Sequence, residues 1–142
     1  MDKHSYQVSL KWKEGRQGIL SSTVLPTTIE VATPPEFDHG VPGIWSPEHL
    51  FTSSVLSCFM TTFFAIAEYS KIEYDTFECD AEGILDKVDG KFMMTEINLT
   101  ARVKIPNLEL SDKVERILQK SETACLISNS IKSKVNLTCH IN

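Results

Sequence analysis

Trp45-Ser-Pro-Glu-His-Leu-Phe-Thr-Ser-Ser-Val-Leu-Ser-Cys58-Phe-Met-Thr-Thr-Phe-Phe-Ala-Ile-Ala-Glu-Tyr-Ser70 is the stretch whose reading decides the fold. Ser46 is placed to accept a hydrogen bond from a first-turn amide, and Pro47 follows at the first helical position, where no N–H is needed. Glu48 then puts a negative charge at the positive end of the helix dipole. Beyond it Leu50, Phe51, Val55, Leu56, Phe59, Met60, Phe63, Phe64 and Ile66 place apolar groups on every side. A helix apolar all round is a buried helix. Interleaved Thr and Ser argue against a membrane span. One thiol, Cys58, sits in the middle.

Working outward, residues 4 to 14 alternate Tyr6, Val8, Leu10 and Trp12 with polar neighbours and read as a strand. Glu14-Gly-Arg-Gln-Gly18 is a turn, Ile19 to Leu25 a second strand, and Thr27 to Ala32 a third. Pro34, Pro35, Gly40, Pro42 and Gly43 punctuate the loop before the helix; a loop that long inside a compact domain is often functional. After the helix, Thr76 to Gly83 alternates, Asp89-Gly90 marks a hairpin, and Phe92 to Pro106 is the return strand. Ser111 caps a helix running to Ala124, Cys125 to Ile131 is a short helical segment, and Val135 to Ile141 is a last strand. The expected class is α+β, an antiparallel sheet packed on a long buried central helix, in one domain spanning residues 1–142. Three strands shield one face of that helix, so a second copy is expected to cover the rest in an intertwined two-fold homodimer.

The 142 residues carry a net charge of −5 and no long basic run, which argues against nucleic acid or a membrane surface as partner. The N-terminus has no apolar leader, so a cytoplasmic protein is expected. The four cysteines form no C-x-x-C, and the four histidines no metal-binding spacing, so neither metal nor cofactor is expected. Cys79 and Cys139 share strand faces with apolar residues and read as small core fillers. Cys58 and Cys125 stand apart: Cys58 lies among aromatics, and Cys125 lies near the start of a short helical turn whose dipole favours a thiolate. From the residues alone, both functional and filler readings stay open for this pair.

The run from Ser46 to Phe59 resembles the central-helix signature of the OsmC/Ohr family, the osmotically inducible and organic-hydroperoxide-resistance proteins. There a Pro-Glu-x-Leu opens the helix, here Pro47, Glu48 and Leu50, and the peroxidatic cysteine follows ten residues after the Glu, here Cys58. Pro35-Glu-Phe-Asp-His-Gly and Gly43-Ile-Trp-Ser-Pro are also similar, and the order of elements matches over nearly the whole chain. Arg16 falls where the family carries its active-site Arg, and Cys125 where it carries its resolving Cys. The resemblance implies a cysteine-based peroxidase that reduces organic hydroperoxides to alcohols. Cys58 is oxidised to a sulfenate and resolved by Cys125 as a disulfide, an external dithiol restores both thiols, and no cofactor is used. Arg16 is expected to offset the burial of the thiolate and Glu48 to orient Arg16.

On one straight helix Glu48 and Cys58 lie about 15 Å apart along the axis and roughly 80° around it. The expectation is therefore a composite site, with Arg16 and Glu48 from one chain and both cysteines from its partner. Leu126 stands where the family usually has Pro. That keeps a rival open: a family-fold protein that binds a small apolar ligand or serves in stress without significant turnover.

Overall fold

The computed structural model describes residues 2–142, and the chain forms two compact units, one ending at Leu50 and one running from Phe51 to Asn142.

The first unit is an antiparallel meander of β1 (Ser9–Glu14), β2 (Gln17–Ser22) and β3 (Leu25–Ala32). The first strand begins at Ser9 rather than residue 4, and β2 starts two residues earlier than its apolar pattern indicates. The reason is the tightness of the first turn: Gly15 takes a left-handed φ of 50°, and Gln17 already pairs with Glu14. Register aligns Leu10 with Leu20 and Leu20 with Ile29, and Trp12 with Gly18 and Gly18 with Val31. These residues share one face, yet Leu10 and Trp12 are 62% and 77% exposed in the single chain. The loop after β3 folds back through Phe37 N–H to Pro34 O, Gly40 N–H to Phe37 O and Val41 N–H to Thr33 O. A Cβ on Gly40 would lie 2.0 Å from the Pro34 carbonyl oxygen, so only glycine closes this loop. Ala32 N–H donates to Trp45 O at 2.8 Å, which aims the chain into α1 (Pro47–Tyr69).

The second unit is built on β4 (Thr76–Val88), β5 (Lys91–Lys104) and β6 (Lys134–Ile141), in that spatial order, with α2 (Ser111–Ala124) between β5 and β6. Asp89 and Gly90 have φ of 51° and 78°, the two left-handed residues that a primed hairpin turn requires. Ile97, Leu99, Ala101 and Val103 alternate inward along β5 and are buried. On α1 the buried stripe is Val55, Phe59, Phe63 and Ala67, one residue per turn. Phe63 stacks on Phe77 of β4 with centroids 4.9 Å apart, and Phe64 stacks on Tyr74 at 5.8 Å. Thr52 passes so close to β4 that a Cβ on Gly83 would lie 2.2 Å from its hydroxyl oxygen. α2 adds Val114, Ile117, Leu118 and Ser121 to the buried set. By length and composition α1 would pass as a membrane span, but its stripe is spent on this sheet.

The α+β class holds, with three differences from the expected detail. β6 pairs with β5 in parallel, because α2 returns the chain to the end of the sheet at which β5 began. α1 is buried along one stripe only; Ser57, Thr61 and Ala65 on the far side are exposed in the single chain. Ser111 does not cap the start of α2 but ends the preceding 3-10 turn, its hydroxyl donating to Leu108 O at 2.6 Å, and Asn107 opens that turn by accepting from Glu109 N–H.

Phe63→Ala is expected to destabilise the protein by about 3–5 kcal/mol in urea unfolding, because it empties a fully buried stacked site. Gly83→Ala is expected to cost about 1–3 kcal/mol through overpacking against Thr52.

Candidate active site

Cys58 stands midway along α1, half-exposed, with its thiol free. α1 turns its side chain toward the segment that follows α2. Cys125 is the residue at which α2 stops: its backbone leaves the helical region (ψ 115°), and its N–H closes the last turn on Glu122 O at 3.2 Å. The next residues coil into a tight turn. Asn129 N–H donates to Cys125 O at 3.1 Å, Asn129 Nδ2 to Thr123 O at 3.2 Å, and Ser130 Oγ to Leu126 O at 2.7 Å. This staples the turn and presents its leading amides to Cys58.

The electrostatics of the two thiols then diverge. Burial pushes Cys58 up. Against it act the Ile127 amide, the Cys125 thiol, the Thr62 hydroxyl at 4.0 Å and the Leu126 amide, all hydrogen-bonded to its sulfur. The hydrogen bonds win, and the Cys58 thiol lies below its ordinary value. Cys125 goes the other way. It is fully buried, burial pushes it up, and a negative Cys58 beside it pushes the same way; the Ser128 hydroxyl and amide oppose this only in part. Cys58 is therefore the more acidic sulfur of the pair, and the Cys125 thiol donates a hydrogen bond to it. That is the division of labour a nucleophile and a resolving thiol need.

One expectation changes here. The helical turn does not make Cys125 a thiolate; its amides point at Cys58 instead. Within its own chain the donors to Cys58 are neutral groups. The amides of Leu126 and Ile127 and the hydroxyl of Thr62 had not been singled out. Thr62 was discoverable, being one turn from Cys58 on the same helix; a backbone amide brought in from another element leaves no mark in sequence.

Arg16 and Glu48 belong to the first unit. Arg16 is exposed in the β1–β2 turn and takes part in no ion pair among the described residues. It lines a cleft of about 310 Å³ with Leu10, Trp12, Val31 and Pro47, and a second of about 500 Å³ with Glu14 and His39. Glu48 is half-buried in the first turn of α1. That turn is fixed by Ser46, whose hydroxyl accepts the His49 amide at 3.1 Å and lies 2.6 Å from His49 Nδ1. The aromatic residues near Cys58 on α1 are mostly core: Phe59 and Phe63 are fully buried, while Phe51 is half-buried beside Met93, Met94 and Ile131 in a cleft of about 390 Å³. Cys79 and Cys139 flank Ala101 across the sheet, and burial pushes them up to about 11 and about 12. Both are thus less acidic than Cys58.

The profile of the OsmC-like proteins matches residues 40–140, a span that contains α1, both sheet hairpin strands, α2 and the two site cysteines. The chain is 26% identical over 142 residues to the uncharacterized protein YmaD of Bacillus subtilis, covering 96% of this chain and 93% of that one. It is 27% identical over 92 residues to the peroxiredoxin OsmC of Escherichia coli, covering 65% of this chain and 64% of OsmC. An OsmC-like protein of unknown function from Vibrio cholerae superposes with a TM-score of 0.83 at 22% identity, covering 99% of this chain and all of that one. With its signature helix, its paired thiols and this match in sequence and fold, the chain belongs to the OsmC-like family of the OsmC/Ohr group.

Proposed function

We propose that this protein is a cysteine-based peroxidase that reduces organic hydroperoxides to alcohols. The observation that carries the reading is the hydrogen-bonded Cys58–Cys125 pair, in which the more exposed sulfur is the more acidic. The family's inclusion of the peroxiredoxin OsmC supports it. The Cys58 thiolate attacks the outer peroxide oxygen. The O–O bond breaks, the alkoxide leaves and takes up a proton, and Cys58 becomes a sulfenic acid. The charge on Cys58 is then gone, and with it one of the influences that keep Cys125 protonated. Cys125 attacks the sulfenic sulfur, water leaves, and a disulfide forms. An outside dithiol returns both thiols.

The whole chain acts as one OsmC-like domain in a cytoplasmic homodimer. The open face of Leu10 and Trp12 and the uncovered side of α1 are what a second copy covers. Arg16 and Glu48 of one subunit complete the site of the other, where the guanidinium steadies the departing oxygen. A substrate with an apolar body gains about 0.8 kcal/mol per buried methylene, which favours organic hydroperoxides over hydrogen peroxide. The competing reading, a binder of small apolar ligands without turnover, draws on the cleft beside Leu10 and Trp12.

One equivalent of cumene hydroperoxide is expected to remove two thiols in wild type, to remove none at a comparable rate in Cys58→Ser, and to leave a sulfenic acid in Cys125→Ser. Slow loss indifferent to Cys58 would favour the binding reading. Arg16→Ala is expected to lower kcat/KM at least about tenfold and to move the Cys58 titration upward. That titration, followed by iodoacetamide alkylation, is expected to be half-complete below the ordinary thiol range, and to move upward in Cys125→Ala, which deletes one donor to the thiolate. Trp12→Asp is expected to shift sedimentation from dimer toward monomer.

A further inference from the structure

We infer that the outside reductant bonds to the sulfur of Cys58, not to that of Cys125, and reaches it through the opening that admits the peroxide. This rests on the two-cysteine reading above and extends it to the return half of the cycle.

A disulfide offers two sulfurs, and a thiolate must approach either one along the S–S axis, from the side opposite the sulfur that leaves. To strike Cys125 it would have to come from behind a residue that is fully buried. The turn around Cys125 is held on both sides by Asn129, through its amide to Cys125 O and its side chain to Thr123 O, and by Ser130 to Leu126 O. No approach opens there without breaking these bonds. To strike Cys58 the reductant comes from the opposite direction, to a sulfur that is half-exposed where that of Cys125 is fully buried. A peroxide that oxidises Cys58 needs this same approach, so the passage exists in any assembly that turns over.

The first step forms a bond between the reductant sulfur and Cys58 and breaks the Cys58–Cys125 bond, releasing Cys125 as a thiolate that takes a proton. Cys125 is the poorer leaving group of the two, so access rather than acidity sets the direction. The Ser128 amide and hydroxyl beside it partly accommodate the departing charge. The mixed disulfide on Cys58 then has two fates. Cys125, still adjacent, can attack Cys58 again and expel the reductant unchanged. A second thiol on the reductant can instead attack the reductant's own sulfur and release Cys58, the better leaving group. Only a reductant carrying both thiols on one short chain competes with a neighbour as close as Cys125. A monothiol exchanges without net reduction.

The test begins with the disulfide made by diamide, so that it is independent of peroxide turnover. Oxidised wild type is treated briefly with excess 2-mercaptoethanol, quenched in acid, and the mixed-disulfide adduct located by peptide mass. The adduct is expected on Cys58; an adduct on Cys125 overturns the inference. In parallel, dithiothreitol is expected to regenerate both thiols at least tenfold faster than 2-mercaptoethanol at equal thiol concentration, and equal rates overturn the futile-exchange step. Cumyl alcohol is expected to slow oxidation by cumene hydroperoxide and reduction by dithiothreitol over the same concentration range; slowing of oxidation alone overturns the shared opening. Failure of diamide to join Cys58 to Cys125 would remove the two-cysteine reading itself. Adduct on Cys58 in a protein without peroxide turnover would leave this inference standing and remove only the peroxidase reading.

Discussion

The packing of the Val55, Phe59, Phe63 and Ala67 stripe onto the β4–β5–β6 sheet is the contact on which the rest of the second unit hangs. It fixes the rotation of α1 about its own axis. Phe63 locks against Phe77 and Tyr74, and Thr52 settles over the gap left by Gly83. With that rotation fixed, Cys58, one position before Phe59, cannot point into the core and cannot point fully away from it. It lies at the margin, where α1 meets the segment leaving α2. A reactive thiol needs such a place: enough burial to exclude bulk water, and enough exposure to be reached.

Four cysteines in one small protein allow the effect of surroundings to be compared at constant chemistry. Cys79 and Cys139 are buried to an ordinary degree, and with desolvation barely opposed they rise to about 11 and about 12. Cys58 is also penalised by burial, yet two amides, a hydroxyl and a thiol reverse the balance. Within the single chain these donors are all neutral. Hydrogen bonds delivered by a turn that is itself fastened by Asn129 and Ser130 are preorganised, so little reorganisation is required when the charge forms. The lowering of the Cys58 thiol thus falls largely on backbone geometry.

This explains how far the sequence could be read. The Ser46-Pro47 start, the apolar run of α1, the Asp89-Gly90 turn and the alternation along β6 are local signals, and each marked its element. The Pro-Glu-x-Leu and Cys58 spacing carried the family. What stayed hidden was set by non-local pairing. The parallel docking of β6 on β5 depends on where α2 returns the chain, and strand alternation is blind to direction. Three of the four donors to Cys58 lie nearly seventy residues further along the chain, and two of these are amides common to any residue type. Ser111 resembled a cap because caps favour serine; here Asn107 had already opened a 3-10 turn, and its end became the start of α2.

The crossover between β5 and β6 has a consequence for the order in which the protein matures. The turn that acidifies Cys58 is carried on that crossover, and the crossover is closed when β6 joins β5. A chain still being synthesised holds Cys58 without its amide donors, and its thiol then has the acidity of any cysteine on an open helix. Reactivity therefore arrives with completion of the fold. The nascent chain passes through its most vulnerable stage, with apolar helix uncovered, while its cysteine is still a poor nucleophile and a poor target for oxidation.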